Sequence, residues 1–542
     1  MKTLKHWWFL ICSVTLQQTY QLSFKLQNNS FKRTIISFLF FHPQKISTFR
    51  KNSTSSYNLF KMNNANDKNE QSSRRNFLKS SVLASAGFMI VPRHVLGKGF
   101  VAPSDKLNIA AVGCGGKADF NIPQAYNNGS DNIVALCDVD DRMSAKFRTK
   151  FPNAPYFKDY RKMLESEAKN IDAVIVTTPD HMHYPIAMSA MQLGKHVYCE
   201  KPLTHDIWEA RQMTESAAKY KVVTQMGNQG SSGKGTRVTE AIVQSGMIGE
   251  VHTVEVWTNR PVWPQGVQSP KDKGEKQPIP NEVDWNLWLG TAPERDYHEA
   301  YMPFRWRGYW DFGTGALGDM GCHFIDVPFR TLKLGYPTSV ECSVGQVYAD
   351  FFKEAFFDDS CPPSSAIHLK FPNPTSKKYK ELSLSWYDGG IRPKLPEGCD
   401  YEKVFANIDG GIMFIGTKGI LACELFGNNP KLFANGKQQE VKFPEPKRAL
   451  VDGDTNGHQQ QWVKACKTGF GTYTSSSFDQ SGPLTETVLM GNLAVRSFLL
   501  RNSKNKFIGR KKLLWDGANM KITNFDEANA FVKREYRAGG WI

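Results

Sequence analysis

Three clusters of residues in this 542-residue chain have the types and spacing to do chemistry. Lys201 lies between Glu200 and Pro202, directly after the run His196-Val197-Tyr198-Cys199. Proline restricts the backbone there and aims the lysine off the end of the run. A lysine amine buried beside positive charge gives up its proton more readily, and can then relay or orient a proton. Asp319 and His323 stand four apart, so on a helix they share one face. An imidazole titrates near neutrality and can accept a hydroxyl proton. As bare residues, such a pair is as readily a helix salt bridge or a core polar contact. His181 and His183 form an H-x-H that raises the question of zinc, but no metal is assigned to it.

These residues need elements to hold them. Lys106-Leu107-Asn108-Ile109-Ala110-Ala111-Val112 reads as a short buried strand, followed at once by Gly113-Cys114-Gly115-Gly116-Lys117-Ala118. After a segment of helix length comes a second strand, Ile133-Val134-Ala135-Leu136-Cys137, ending in Asp138. In that order Gly113 permits the tight turn, Gly115 lets the backbone approach a pyrophosphate, and Ala118 lets helix and strand pack closely. Gly116 and Lys117 complete the turn. Asp138 is placed to accept hydrogen bonds from a ribose 2′-hydroxyl and to repel a 2′-phosphate, which favours NAD over NADP. The alternation continues through the strand Ile171–Val176, the loop Thr177-Thr178-Pro179-Asp180-His181, a helix, and the strand that ends at Glu200-Lys201-Pro202. Loops at the carboxyl ends of parallel strands bind ligands in this architecture.

Beyond Asn228 the rhythm changes to longer loops, many tryptophans, and strand-like runs such as Ser339–Val344, Ala366–Phe371 and Leu382–Trp386. The fold class is α/β: a Rossmann dinucleotide-binding domain over 99–228, then an α/β domain over 229–542 with a mainly antiparallel open sheet. The second domain is expected to bind substrate and to join copies of the chain into a homo-oligomer. Trp257, Trp263, Arg305, Trp306, Tyr309 and Trp310 suit the faces and hydroxyls of a sugar, and suit a core equally well. The ten cysteines are scattered with no C-x-x-C, and read as mostly buried thiols.

Three ordered runs, T-T-P-D-H-M-H-Y (177–184), G-K-H-V-Y-C-E-K-P (194–202) and G-T-G-A-L-G-D-M-G-C-H-F-I-D (313–326), resemble the Gfo/Idh/MocA family of nicotinamide-dependent sugar oxidoreductases. The resemblance covers roughly residues 105 to 500. It implies that Lys201 relays or orients a proton and that Asp319 and His323 stand over the nicotinamide. His323 would then be the base that takes the hydroxyl proton as hydride leaves carbon, and Asp319 would orient the imidazole or bind a sugar hydroxyl. Thr177, Thr178, Pro179 and Glu200 join the glycine turn, Asp138 and Lys201 as cofactor contacts, with His181 near the nicotinamide ribose. His183, Asn228, Arg305, Trp310 and Asp319 are the expected substrate contacts. Two features depart from the pattern: Ala118 replaces a third glycine, and a long C-terminal region ends in Arg537-Ala538-Gly539-Gly540-Trp541, expected to cover either the site or an oligomer face.

The formal charge of +16 is concentrated at one end. Residues 1–61 hold nine Lys or Arg and no Asp or Glu, and 62–98 hold six basic against two acidic, so 99–542 carry only +3. That body gives no electrostatic argument for a nucleic-acid partner. Ser73-Arg74-Arg75-Asn76-Phe77-Leu78-Lys79, followed by the mildly apolar Val82–Val91, has the form of a twin-arginine export signal, which places the protein in the periplasm. Such signals are N-terminal, so translation is expected to begin at Met62, with 1–61 an extension and 62–98 signal and linker. The apolar runs in 1–61 are far shorter than the roughly 20 residues of a spanning helix. The twin-arginine route carries folded proteins, and outside the cytoplasm no nicotinamide pool recycles a cofactor that dissociates. NAD should therefore be loaded before export and kept bound. Two reactions follow: hydride transfer between NAD and a carbohydrate or polyol hydroxyl, or a redox-neutral glycosidase cycle of oxidation, elimination, hydration and reduction. A non-catalytic sugar- or nucleotide-binding protein would share the fold, but the presence of both Lys201 and His323 speaks against it.

Overall fold

The computed structural model describes residues 105–355, 357–405 and 410–542. The expectations on 1–98, the twin-arginine stretch included, lie outside the described residues.

The first sheet is built from β1 (Asn108–Val112), β2 (Asn132–Cys137), β3 (Tyr156–Phe157), β4 (Ala173–Val176), β5 (His196–Glu200) and β6 (Thr224–Gly227). Its order is β3-β2-β1-β4-β5-β6, with every pairing parallel. Parallel strands are covered on both faces, which is why β4 is buried at every residue and β1 at four of five. The chain leaves β1 toward β2 on one side and returns to β4 on the other. That reversal opens a crevice at the carboxyl ends of β1 and β4, and the ends of β2 and β5 flank it.

The remaining strands are β7 (Val251–Thr258), β8 (Ser339–Val344), β9 (Val347–Asp350), β10 (Lys353–Ala355), β11 (Ser365–Pro372), β12 (Glu381–Tyr387), β13 (Gly410–Gly416), β14 (Ile420–Cys423), β15 (Lys431–Ala434), β16 (Lys437–Gln439), β17 (Leu513–Asp516) and β18 (Lys521–Ile522). Among the described residues β9 and β10 pair with each other, and the others form a sheet of order β16-β15-β14-β13-β7-β12-β11-β8-β17-β18. Only β7 and β12 run parallel; the other pairings are antiparallel. β11 alternates buried and half-buried residues, with Ile367, Leu369 and Phe371 inward, as one covered face requires. The long helix Phe478–Phe498 lies between this sheet and the helix Ile207–Lys219, tied to the latter by a two-pronged Arg211–Glu486 ion pair at 2.8 Å on each prong. A Cβ on Gly491 would stand 2.4 Å from a Leu317 methyl, so glycine there lets the long helix press against the helix Gly315–Phe324. That contact fixes the helix carrying Asp319 and His323.

The nucleotide-binding half is not confined to 99–228. The helix His458–Thr468 returns from beyond the second sheet and inserts Trp462, Val463 and Ala465 into the core formed by Ile109, Ala111, Phe147 and Tyr198. Its Gln459 donates to Asn121 Oδ1 at 2.9 Å and to the Tyr198 hydroxyl at 3.0 Å. The physical reason is that the nine-residue helix Ala118–Tyr126 leaves part of that sheet face for a second helix to cover. Among the described residues nine cysteines are free thiols, seven of them buried. No described helix is long and apolar enough to cross a membrane.

Candidate active site

The glycine turn leaves β1 with Gly113 at φ +84°, where a Cβ would come within 2.4 Å of the Thr177 carbonyl oxygen. Only glycine fits there, because the turn after β1 and the loop after β4 pass almost in contact. At the end of β2 the Asp138 carboxylate accepts from Cys114 N at 2.7 Å and from Asp140 N at 2.9 Å. Burial pushes its pKa up to about 6 against the pull of those donors. Gly113, Gly115, Gly116, Lys117, Asp138, Thr177, Thr178, Pro179, Glu200, Lys201 and His323 all line one cavity of about 660 Å³. The residues present fit a dinucleotide: a turn in which Gly113, Gly115 and Gly116 carry no side chain, a helix N-terminus directly after it, and a carboxylate at the end of the second strand.

At the other end, Lys201 directly follows β5 and precedes a cis peptide to Pro202. The Lys201 ammonium donates to Asp319 Oδ1 and to the Asp319 carbonyl, both at 2.8 Å. Arg307 Nε donates to the same Oδ1 at 3.2 Å. Burial alone would raise the Asp319 carboxyl, but the charges of Lys201 and Arg307 hold it down at about 2. The lysine head is therefore fixed by two acceptors on one residue.

His323 is oriented by a different partner from the one expected. Its Nδ1 lies 2.7 Å from Asn228 Oδ1, while Asn228 Nδ2 donates to the Cys322 carbonyl at 2.8 Å. With the amide nitrogen so committed, Asn228 offers its oxygen, Nδ1 must carry the proton, and Nε2 is left as an acceptor. Burial, and after it the Lys201 charge, push the imidazole down to about 3, so the ring is neutral near pH 7. Phe426 packs edge-on against it at 5.3 Å, held at φ +62°, a rare conformation for a bulky residue. Asp319 and His323 do share a helix face, but Asp319 fixes Lys201 and Asn228 fixes His323. Asn228, expected at the substrate, is off the cavity wall and acts through the imidazole.

Four further expectations are corrected. His181 and His183 are buried and do not line the cavity. The nitrogens of His181 face the carbonyls of Phe312 at 3.3 Å and Trp288 at 3.1 Å, and those of His183 face Pro202 at 2.8 Å and Thr178 at 2.9 Å. The turn Asp180–Met182 and the helix that starts at His183 point both rings into the body of the protein, where His183 ties the loop after β4 to the loop of Lys201. Arg305 is exposed and off the wall; Arg307, two residues on, reaches the site. Trp310 lines a separate cavity of about 400 Å³ with His205 and Arg496. Among the described residues no cluster of three or more His, Cys, Asp or Glu is placed to hold a metal.

Several wall residues escaped sequence reasoning. Asp180 is buried, accepts from Thr314 Oγ1 at 2.6 Å, and is raised by burial to about 7. It stands inside a run already singled out, beside the histidines that drew attention from it. The Arg307 guanidinium is 4.2 Å from the Trp306 ring, 4.4 Å from Phe304 and 5.9 Å from Trp263, an aromatic and cationic mouth to the cavity. The C-terminal region, expected to cover either the site or an oligomer face, brings Trp541 onto the cavity wall.

Residues 107–228 match the oxidoreductase family's NAD-binding Rossmann fold, and 233–350 match its C-terminal alpha/beta domain. The chain is 30% identical over 259 residues to a D-glucoside 3-dehydrogenase of Escherichia coli, covering 48% of this chain and 61% of that protein. It is 25% identical over 203 residues to a glycosyl hydrolase family 109 protein of Shewanella baltica, covering 33% of this chain and 44% of that protein. It thus spans less than two thirds of the length of either relative. A solved structure of the WlbA dehydrogenase from Bordetella pertussis, in complex with NADH and UDP-GlcNAcA, is 16% identical, with a TM-score of 0.48 over 72% of this chain and 97% of that one. Residues 107–228 and 233–350 are thus similar, in that order, to the NAD-binding domain and the C-terminal alpha/beta domain of the Gfo/Idh/MocA oxidoreductase family.

Proposed function

We propose that this protein moves hydride between tightly held NAD and a hydroxyl of a carbohydrate or polyol. The observation that carries the reading is the convergence of the Lys201 ammonium and the neutral His323 ring on the cavity that also holds the glycine turn and Asp138. When bound, NAD supplies the hydride acceptor. His323 Nε2 accepts the proton of the hydroxyl being oxidised, with Asn228 holding the tautomer that leaves this nitrogen free. Lys201, pinned by Asp319, donates to the oxygen as negative charge develops on it. The aromatic mouth around Arg307 gives a sugar apolar faces to stack on and donors for its hydroxyls.

A second reading, cleavage of a glycoside through a redox-elimination cycle, is supported by the likeness to the Shewanella protein and by Asp180. A buried carboxyl raised to about 7 on the cavity wall can lend a proton at neutral pH, as a departing aglycone requires. The test is to mix the NAD-loaded full chain with a panel of free sugars, polyols and glycosides, following cofactor absorbance and products. Formation of a keto sugar with reduced cofactor is expected for the first reading, and aglycone release with no net reduction for the second. No change across the panel would refute both.

We further propose export to the periplasm by the twin-arginine route, supported by Ser73–Lys79 and the apolar stretch after it. Replacing Arg74 and Arg75 together by lysine is expected to leave folded, NAD-loaded protein in the cytoplasm. Unchanged export, followed by cell fractionation, would contradict it.

A further inference from the structure

Residues 533–541 run back across the nucleotide-binding half and end on the wall of its cavity. Arg534 donates to Glu209 Oε1 at 2.7 and 3.0 Å, to Thr291 Oγ1 at 2.9 Å and to the His181 carbonyl at 2.6 Å. The Tyr536 hydroxyl donates to the same Glu209 oxygen at 2.6 Å. Arg537 follows, donating to the Asn286 carbonyl at 2.8 Å and the Gly290 carbonyl at 3.1 Å. An exposed link, Ala538-Gly539-Gly540, then leads to Trp541, which is only 5% exposed. The indole N–H donates to the Arg537 carbonyl at 3.0 Å, and Arg161 lies over the ring at 4.5 Å. The Trp541 carbonyl accepts from the Tyr160 hydroxyl.

Trp541 shares the cavity wall with Asp138, Asp159, Tyr160, Met182 and Ile186. Tyr160, which bonds the Trp541 carbonyl, comes just after the edge strand β3 beside β2, whereas Lys201 follows β5 on the other side of β1. A dinucleotide with its phosphates at the glycine turn and its reacting ring near Lys201 has its other base to place beyond Asp138, among these aromatic and aliphatic side chains. We propose that Trp541 is part of the subsite for that base, and that residues 533–541 form a strap that must lift for the dinucleotide to leave. The proposal rests on the reading of this cavity as the NAD site. Anchored at Arg534 and Arg537, the strap is also held by Arg161, which donates to the Gly539 and Gly540 carbonyls, so lifting the indole requires only these last contacts to open while the domain beneath stays folded.

The experiment measures the rate of NAD release from the loaded full chain, by protein fluorescence after dilution, for wild type, Trp541→Ala and Trp541→Phe. Removing one aromatic contact to a base should speed release about tenfold, and phenylalanine should restore most of the retention. A variant ending at residue 532 should release faster still; should that truncation fail to fold, the point variants decide. NAD released at the same rate by wild type and Trp541→Ala would overturn the strap alone. A wild-type chain that takes up no NAD would overturn the reading of the cavity and the strap with it.

Discussion

Lys201→Ala and His323→Ala are each expected to cut turnover by about 10²–10⁴-fold while NAD remains bound. The two side chains contribute differently. Lys201 directly follows Glu200 at the end of β5, and its two bonds to Asp319 hold it in one place. Its loss leaves Asp319 with Arg307 at 3.2 Å and removes a positive charge from the site. That charge is second only to burial in holding the His323 imidazole down, so Lys201→Ala should also raise the imidazole pKa. The ring accepts a proton only when neutral, and the acid limb of the remaining activity should therefore move to higher pH. His323→Ala removes the acceptor itself and should show no such limb. Rates measured across pH beside equilibrium NAD binding separate these cases. Wild-type turnover in either variant would sink the assignment.

The second large effect is on stability. Trp462→Ala should destabilise the protein by about 3–5 kcal/mol, the usual cost of emptying a large buried aromatic site. Trp462 is fully buried in the core under β1 and packs at 5.6 Å against Tyr198 of β5. Among the described residues its indole N–H has no hydrogen-bond partner, so the loss comes from the void. Because the helix His458–Thr468 brings this ring from beyond the second sheet, the loss should fall on both halves, as one transition at lower denaturant. A loss under about 1 kcal/mol would mean that the site collapses freely and that the helix is a minor prop.

Local signals in the sequence were strong where chemistry and chain order coincide. β1, the glycine turn, β2 and Asp138 lie within about thirty residues of one another, as the dinucleotide-binding fingerprint demands. Lys201 follows β5 as its neighbours imply, and the four-residue spacing of Asp319 and His323 does place them on one helix face. What stayed hidden depends on partners remote in the chain or on backbone groups that any residue supplies. The carbonyls of Thr178, Pro202, Trp288 and Phe312 that occupy His181 and His183 leave no mark on composition. Asn228 and His323 are 95 residues apart, and the Tyr160–Trp541 contact spans 381. Arg305 and Arg307 differ only in which way a short turn points them. The helix 458–468 lies within the span 229–542 assigned to the second domain, and only the bare sheet face decides where it docks.

Every role proposed for the site depends on a dinucleotide kept in the cavity between the glycine turn and the Lys201–His323 end, and the NAD content of the purified full chain after extensive dialysis tests this most directly. About one NAD per chain, by absorbance and mass, is the predicted result. A chain that emerges empty and fails to take up added NAD would contradict it.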